Sequence, residues 1–444
     1  MLRGARVLAQ ASMRRYSLAV DAASYRSLLD RIARTPEGFS FYRSSFEFSP
    51  VERPTGKPLT MNLSMILNAG PESAVAGVTT GNRFPGAPVL IAREMLAGSG
   101  FRGILINNRI ANVAVPGGVE RARRVASAAA AAFGLDSDQV LPSSTGIIGW
   151  AIPDDRMVEE VASLPGRSCS PRELAEAIMT TDRYPKLAVR EAGGATILGV
   201  AKGAGMIEPH MATMLVFLMT DARVESSVLQ RVISRVAERT FNRISVDGDE
   251  STSDTVLIIA NGASDVEVTE AQLEEALTGL CGDLAREIVR NGEGTAHLLE
   301  VTVSGITDEA IADRLGRAVI NSPLVKTAIN GNDPNLGRII AALGSELSAM
   351  DASRRPDTER LVIEIDGTRV YSDGAFRLDA AIEDQLSRRL RELEMNPTVV
   401  GYPQEVDPVR IRLDFDRSAS SAGVMLYGSD LSHQYIVENA EYRT

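Results

Sequence analysis

The sequence predicts a mixed α/β fold, and three features carry that prediction. The first is a strand–helix unit. "GILINN" (Gly103 to Asn108) is a continuous apolar run, and "GVERARRVASAAAAAFGL" (Gly118 to Leu135) follows it. The second stretch is Ala-rich, with Arg along one side, so its helix propensity is high, and Gly134 is placed to close it. The second feature is a pair of short apolar runs, "TVLIIANG" and "LEVTVSG", each stopped by a glycine as buried strands are. The third lies near the C-terminus. "RLVIEIDGTRVYSDG" joins two strand-like runs across Asp366-Gly367, and "DAAIEDQLSRRLREL" sets Ile382, Leu386, Leu390 and Leu393 on one helical face.

The remaining elements fit the same class. "RELAEAIMTTD" predicts a helix reaching Thr180, and Met214 to Met219 read as a buried strand. "TEAQLEEALTGLCGDLAREIVRNG" predicts a helix or helix pair, and "VRIRLDFD" a late strand. Strands and helices alternate too irregularly for a dinucleotide-binding sheet. The Gly-rich loop Gly203-Ala204-Gly205 lacks both G-x-G-x-x-G and a P-loop Gly-Lys-Ser/Thr.

Composition excludes several function classes. The 444 residues allow one large or two to three ordinary domains. A net charge of −11 argues against a nucleic-acid-binding face, which needs a basic patch. No run approaches the ~18 apolar residues that span a bilayer. Cys169 and Cys281 are too few for a disulfide framework or a zinc site and read as reduced core thiols. With only His210, His297 and His433 in the chain, chemistry must rest mostly on other groups. The opening "MLRGARVLAQASMRRYSLAV" is Arg-rich and acid-free, which predicts a mitochondrial transit peptide over residues 1–20. The alternative is a frayed bacterial N-terminus with initiation at Met13.

The chemistry is concentrated in "KGAGMIEPHMATMLVFLMTDA" (Lys202 to Ala222), where a lysine-led, glycine-rich loop ends at Ala212-Thr213 and an apolar run begins. A threonine hydroxyl is a weak nucleophile unless a base takes its proton, and an N-terminal threonine carries that base as its own α-amine. An α-amine titrates near pH 7.7–8.0, close to where a general base works best. Thr213 becomes N-terminal only if the bond after Ala212 is cut, and its hydroxyl can do this by attacking the Ala212 carbonyl. The glycines at 203 and 205 permit unusual dihedrals, and Pro209 stiffens the approach. The plain alternative is that Ala212-Thr213 merely opens a buried strand.

Other segments supply partners for such a reaction. In "PSSTGIIG", Thr145 and Gly146 offer a hydroxyl and a backbone N–H to one developing oxyanion, the alternative being a solvent-exposed turn. "NGEGTAH" offers Glu293, an exposed carboxylate suited to an ammonium group, or else a helix cap and turn. Lys202 is suited to a carboxylate, although a lone lysine is usually on the surface.

These motifs give the chain its resemblance to the ornithine acetyltransferase (glutamate N-acetyltransferase) family of arginine biosynthesis. It rests on "STGIIG", "IMTTD", "KGAGMIEPHMATML", "FNRISVDGDESTSDTV", "NGEGTAH", "NSPLVKTAINGNDPNLGRIIAALG" and the terminal "NAEYRT", running from about Ser73 to Thr444. The resemblance implies a layered α/β sandwich of the kind found in self-processing aminopeptidases, with a second, smaller α/β domain. It implies a precursor cut between Ala212 and Thr213 into an alpha chain (21–212) and a beta chain (213–444), assembling as a heterotetramer of two of each. Thr213 then matches the acetyl-carrying nucleophile, Thr145 and Gly146 the oxyanion pair, and Thr180, Lys202, Thr213, Glu293, Asn439 and Thr444 the substrate-binding positions.

The implied reaction moves acetyl from N-acetylornithine to glutamate through acetyl-Thr213. It uses no metal or organic cofactor, and acetyl-CoA is a further donor in bifunctional members. The implied compartment is the mitochondrial matrix, or the bacterial cytoplasm on the alternative reading of the N-terminus.

The chain departs from the family pattern in places. Arg109 and Ile110 stand where a Gly and an Asn are usual, His210 where Asn or Ser is usual, and Ser253 where Asn is common. The region Phe39 to Leu67 matches poorly. These departures keep two other readings in view: a hydrolytic N-terminal-nucleophile amidase or aminopeptidase, and a specialised paralogue acting on another acylated amino acid. A non-enzymatic relative that is cut but no longer turns over is a third.

Overall fold

The computed structural model describes residues 20–54, 56–98, 100–208, 214–416 and 423–440. Ala212, Thr213, His210 and Thr444, and all but the last residue of the predicted leader, lie outside the described residues. The chain divides into two compact units. One takes Leu18–Asn242 together with Asp249–Ile288; the other takes Arg243–Gly248 and Val289–Thr444.

The first elements are α1 (Ala22–Ile32), β1 (Phe39–Phe48), β2 (Leu59–Asn68), β3 (Ala74–Thr79), α2 (Ala87–Ala97), β4 (Gly103–Asn107) and α3 (Gly118–Ala132). Next come β5 (Val140–Ser144), α4 (Asp154–Val161), β6 (Ser168–Cys169), α5 (Pro171–Ala177), β7 (Lys186–Ala192), β8 (Ala195–Lys202), β9 (Leu215–Thr220) and α6 (Ser226–Arg239). β10 (Ile244–Ser245), β11 (Thr255–Ala260), α7 (Glu270–Arg290), β12 (Leu298–Ser304), α8 (Glu309–Ile320), α9 (Pro323–Asn330) and α10 (Leu336–Ala349) follow. The chain closes with β13 (Val362–Ile365), β14 (Thr368–Ser372), β15 (Ala375–Phe376), α11 (Ala380–Glu392), β16 (Val409–Asp414), β17 (Val424–Ser429) and α12 (His433–Ala440).

The larger unit holds two five-stranded sheets, β5-β4-β2-β1-β6 and β3-β11-β9-β8-β7. Strand parity fixes how they are covered, because successive side chains point to opposite faces. On the first sheet, Met61, Leu63 and Met65 pack with Val125 and Ala129 of α3 and Met157 and Val161 of α4. The alternate residues Ser64 and Ile66 face the other way and are also buried. On the second sheet every residue of β9 and β11 is buried. One face lies under α7, whose Leu280 and Leu284 close so tightly on Gly199 that a Cβ there would meet Leu280 at 2.6 Å. Helix α5 touches both sheets, as does α2. The result is the expected layered α/β arrangement, with helices packed on both sheets.

The poorly matching region Phe39 to Leu67 is not irregular. It supplies β1 and β2, which pair antiparallel without a break from Phe39↔Asn68 to Phe48↔Leu59. The smaller unit is a seven-stranded sheet, β10-β17-β12-β16-β13-β14-β15, with α8 packed on β12 and β17. Its core runs through Leu299, Val301 and Val303 of β12, Leu315 and Val319 of α8, and Leu386 and Leu390 of α11. Asp366 (φ 44) and Gly367 (φ 82) form the expected left-handed hairpin turn.

One expectation needs adjustment, one alternative is decided, and one hairpin is new. The helix predicted to reach Thr180 ends at Ala177. Its start is fixed by Pro171 and a reciprocal Ser170–Glu173 capping box, and Thr180 is held out of it because its N–H donates to the Asp182 carboxylate. The stretch after Thr269 is a single helix, α7, the first of the two forms expected. The β7–β8 hairpin, turning at Gly193-Gly194 with φ of 59 and 103, was not anticipated, although that dipeptide between two apolar runs is its signal.

Candidate active site

Thr145 and Gly146 follow directly from β5. The Thr145 N–H donates to the Asn107 carbonyl (3.1 Å) and the Ile147 N–H to the Arg109 carbonyl (3.0 Å). The N–H of Gly146 between them meets no acceptor among the described residues. Gly146 has φ +124, and a Cβ there would lie 2.2 Å from the Arg109 carbonyl oxygen, so no other residue fits. Thr145 is buried, which removes the solvent-exposed turn as an explanation. The loop is braced from β4: the Ser144 hydroxyl donates to Asn107 Oδ1 (2.6 Å), and Asn107 Nδ2 donates to the Ile110 carbonyl (2.8 Å).

The Arg109–Ile110 departure takes on a physical meaning here. Ile110 is fully buried and packs in the core with Val125 and Met157. The Arg109 side chain turns away, its Nε donating to the Thr60 carbonyl (3.0 Å). What Arg109 gives this loop is its backbone carbonyl, which accepts the Ile147 N–H and which any residue supplies.

Lys202 ends β8 and is not at the surface: it is 2% exposed, and its Nζ donates to Thr145 Oγ1 at 3.2 Å. Asp182 organises the backbone around it. Its Oδ1 accepts from Lys186 Nζ (2.5 Å) and the Gly203 N–H (2.7 Å), and its Oδ2 from the Thr180 N–H (3.0 Å). One carboxylate thus ties Thr180 to the Lys202–Gly203 junction. Burial works to raise the Asp182 carboxyl, but the charges of Lys186 and Lys202 and the Gly203 N–H outweigh it and hold the group well below the usual carboxylate range. Burial pulls the Lys186 ammonium down, with Asp182 opposing. The pair is ionised on the carboxylate side, as three donors require.

Lys202, Leu215 and Thr255 stand abreast at the same ends of β8, β9 and β11. One residue further out, Asp254 Oδ1 accepts the Met214 N–H at 2.7 Å. The site therefore assembles Thr145, Gly146, Thr180 and Lys202 in one unit, together with Met214, the residue that follows Thr213 in sequence. Asp182, Lys186 and Asp254 escaped the sequence reading. For Asp254 the available signal is an acid placed directly before an apolar run, in "STSDTV"; Asp182 and Lys186 carry no comparable local signal.

Glu293 and Asn439 belong to the smaller unit. Glu293 is 8% exposed rather than an open carboxylate, because its Gly-rich turn is folded inward: a Cβ on Gly294 (φ +63) would meet the Tyr435 nitrogen at 2.2 Å. Asn439 Nδ2 donates to Glu293 Oε2 (2.8 Å) and to the Tyr435 carbonyl (3.0 Å). The structure thus joins these two sequence-predicted residues directly. Among the described residues no group of three or more His, Cys, Asp or Glu is placed to hold a metal ion, and no helix is long and apolar enough to cross a membrane.

Comparison with known proteins identifies the family. The ArgJ family model matches residues 54–444. This chain belongs to the ArgJ family. Its match begins inside the region that departs from the family pattern, between β1 and β2. The arginine biosynthesis bifunctional protein ArgJ of Geobacter sulfurreducens is 40% identical over 412 residues, covering 90% of this chain and 99% of that one. The glutamate N-acetyltransferase Oat2 of Streptomyces clavuligerus is 37% identical over 420 residues, covering 94% and 100%. Among solved structures, the ArgJ of Bacillus halodurans is 32% identical with a TM-score of 0.43, covering 51% of this chain and 98% of that one.

Proposed function

We propose that this ArgJ-family chain is a self-processing glutamate N-acetyltransferase that moves an acetyl group from N-acetylornithine to glutamate. The observation that carries this is the pairing of the buried Lys202 ammonium with the Thr145 hydroxyl, 3.2 Å apart, beside the Gly146 N–H, which meets no acceptor among the described residues. A hydroxyl polarised by an ammonium and a free N–H form a donor pair for an oxyanion, kept strong by exclusion of water.

In the first step the Thr213 hydroxyl attacks the Ala212 carbonyl, the peptide C–N bond breaks, and the resulting ester is opened by water. The freed α-amine then serves as base. Thr213 Oγ next attacks the acetyl carbon of N-acetylornithine, the amide C–N bond breaks, and ornithine leaves with the proton on its nitrogen. The glutamate amine attacks the ester, and N-acetylglutamate departs as Thr213 regains its proton. Glu293, gripped by Asn439, is suited to the cationic end of ornithine, and Lys202 to a substrate carboxylate; Thr180 and Thr444 complete the proposed binding set.

No cofactor enters this scheme, and acetyl-CoA is proposed as a second donor. Two alpha and two beta chains per assembly, and import into the mitochondrial matrix directed by the Arg-rich residues 1–20, complete the reading. The deciding assay supplies N-acetylornithine with and without glutamate. Glutamate should divert acetyl from acetate to N-acetylglutamate, whereas acetate release unaffected by glutamate would make the chain an amidase.

A further inference from the structure

Asp254 has no part in the scheme above, yet it is one of the most deeply buried acids in the chain. Its Oδ1 accepts the Met214 N–H at 2.7 Å. The strands beside it do not need that bond. The Thr255 N–H already donates to the Met214 carbonyl (3.1 Å), the Thr80 N–H donates to the Asp254 carbonyl (3.0 Å), and β9 and β11 pair in register from Leu215↔Thr255 onward. Its second oxygen, Oδ2, is buried and has no hydrogen-bond partner among the described residues. Leaving a buried polar atom unsatisfied destabilises the fold. A residue kept only to hold two strands together would carry that cost for nothing.

Resting on the self-processing reading, we propose that Asp254 is a positioning residue for chain scission: its carboxylate fixes the amide of Met214, the residue joined directly to Thr213. That amide nitrogen is bonded to the carbonyl carbon of the reacting threonine, so an acceptor on its N–H sets the orientation of the peptide plane behind the nucleophile. Misplacement of a reacting group by about 1 Å costs on the order of 10²-fold in rate.

The strength of this grip depends on charge. Burial pushes the Asp254 carboxyl well above the usual carboxylate range; the Met214 N–H, the Lys202 charge and the nearby Ser251 hydroxyl oppose the rise, and Glu250 adds to it. The groups around it are Lys202 from β8, the Met214 amide ahead of β9, and Glu250 and Ser251 from its own segment. An ionised carboxylate accepts the amide hydrogen more strongly than a protonated acid does. Scission should therefore speed up as pH rises through the titration of Asp254.

The test follows cutting of the full-length chain, made by cell-free translation, across a pH series. Asp254→Asn keeps an acceptor for Met214 but remains neutral. It should cut about 10–100-fold more slowly than wild type, with the high-pH limb flattened. In a Thr213→Ala background it should leave the unfolding midpoint nearly unchanged. An Asp254→Asn chain cut at the wild-type rate with the wild-type pH profile overturns the proposal. So does a loss of stability in the Thr213→Ala background large enough to account for the slow cutting. The two readings separate cleanly. A Thr213→Ala chain that is still cut defeats the scission reading itself; one that stays intact beside a normally cut Asp254→Asn chain defeats only the role of Asp254.

Discussion

Two buried polar clusters, one in each unit, differ in how fully their hydrogen-bonding capacity is used. In the smaller unit, His297 Nδ1 lies 2.9 Å from Asp430 Oδ2 and its Nε2 lies 3.2 Å from the Leu390 carbonyl. The other Asp430 oxygen takes the Ala296 N–H at 2.9 Å, and Asn330 adds a bond of 2.8 Å. Lys326 is equally well used, donating to the carbonyls of Val246 (2.7 Å) and Ser429 (2.6 Å). In the larger unit, the Gly146 N–H and Asp254 Oδ2 are left without partners among the described residues. A satisfied buried network rigidifies a fold, whereas an unspent donor or acceptor lowers stability and calls for an explanation in function. The comparison teaches which cluster is scaffold and which is site.

The difference can be broken in order of expected effect. Gly146→Ala places a Cβ against the Arg109 carbonyl and displaces the free N–H. Turnover should fall by about 10²–10³-fold, the value of one oxyanion donor, while secondary structure measured by circular dichroism is kept. A Gly146→Ala enzyme within a few-fold of wild type would remove that N–H from the chemistry. Glu293→Gln should weaken ornithine-type substrates by roughly 1.5–3 kcal/mol, the scale of a charged hydrogen bond, read as a higher KM. An unchanged KM would take Glu293 out of the binding set.

His297→Gln is the converse test and should change stability rather than chemistry, by about 1–3 kcal/mol for the disrupted buried bonds. Its pH dependence sharpens the point. Burial lowers the His297 imidazolium, but the bond to Asp430 and that carboxylate's charge overcome this and leave it raised above 6.5. A raised histidine stabilises the fold fully below the unfolded value of about 6.5 and loses that contribution as pH rises through the folded value. Denaturant midpoints of the wild type should therefore decline above pH 6.5 more steeply than those of the variant. Equal slopes would mean that His297 is not charged in the fold.

Much of the fold was legible because its signals are local. The Ala-rich run of α3, the Asp366-Gly367 turn and the apolar stripe of α11 each declare themselves within one element. Lys202 and Asp182 were harder, because sequence gives a lysine no sign that it will end a buried strand, or an acid that it will anchor backbone at two places. Thr180 was read as helical because nothing local reveals that Asp182 captures its N–H. The exposure expected of Glu293 failed for a similar reason, since the turn that buries it is packed by Tyr435, more than a hundred residues further along. Ile110 shows the opposite case: a departure that looked functional in sequence is a core residue in the fold.

The central claim is that the chain becomes active by cutting itself ahead of Thr213, and an intact mass spectrum of the purified protein addresses it directly. The account predicts two polypeptides, the later one beginning at Thr213 and gaining one acetyl group when N-acetylornithine is supplied without an acceptor. A single unbroken polypeptide that remains unmodified by the donor would contradict it.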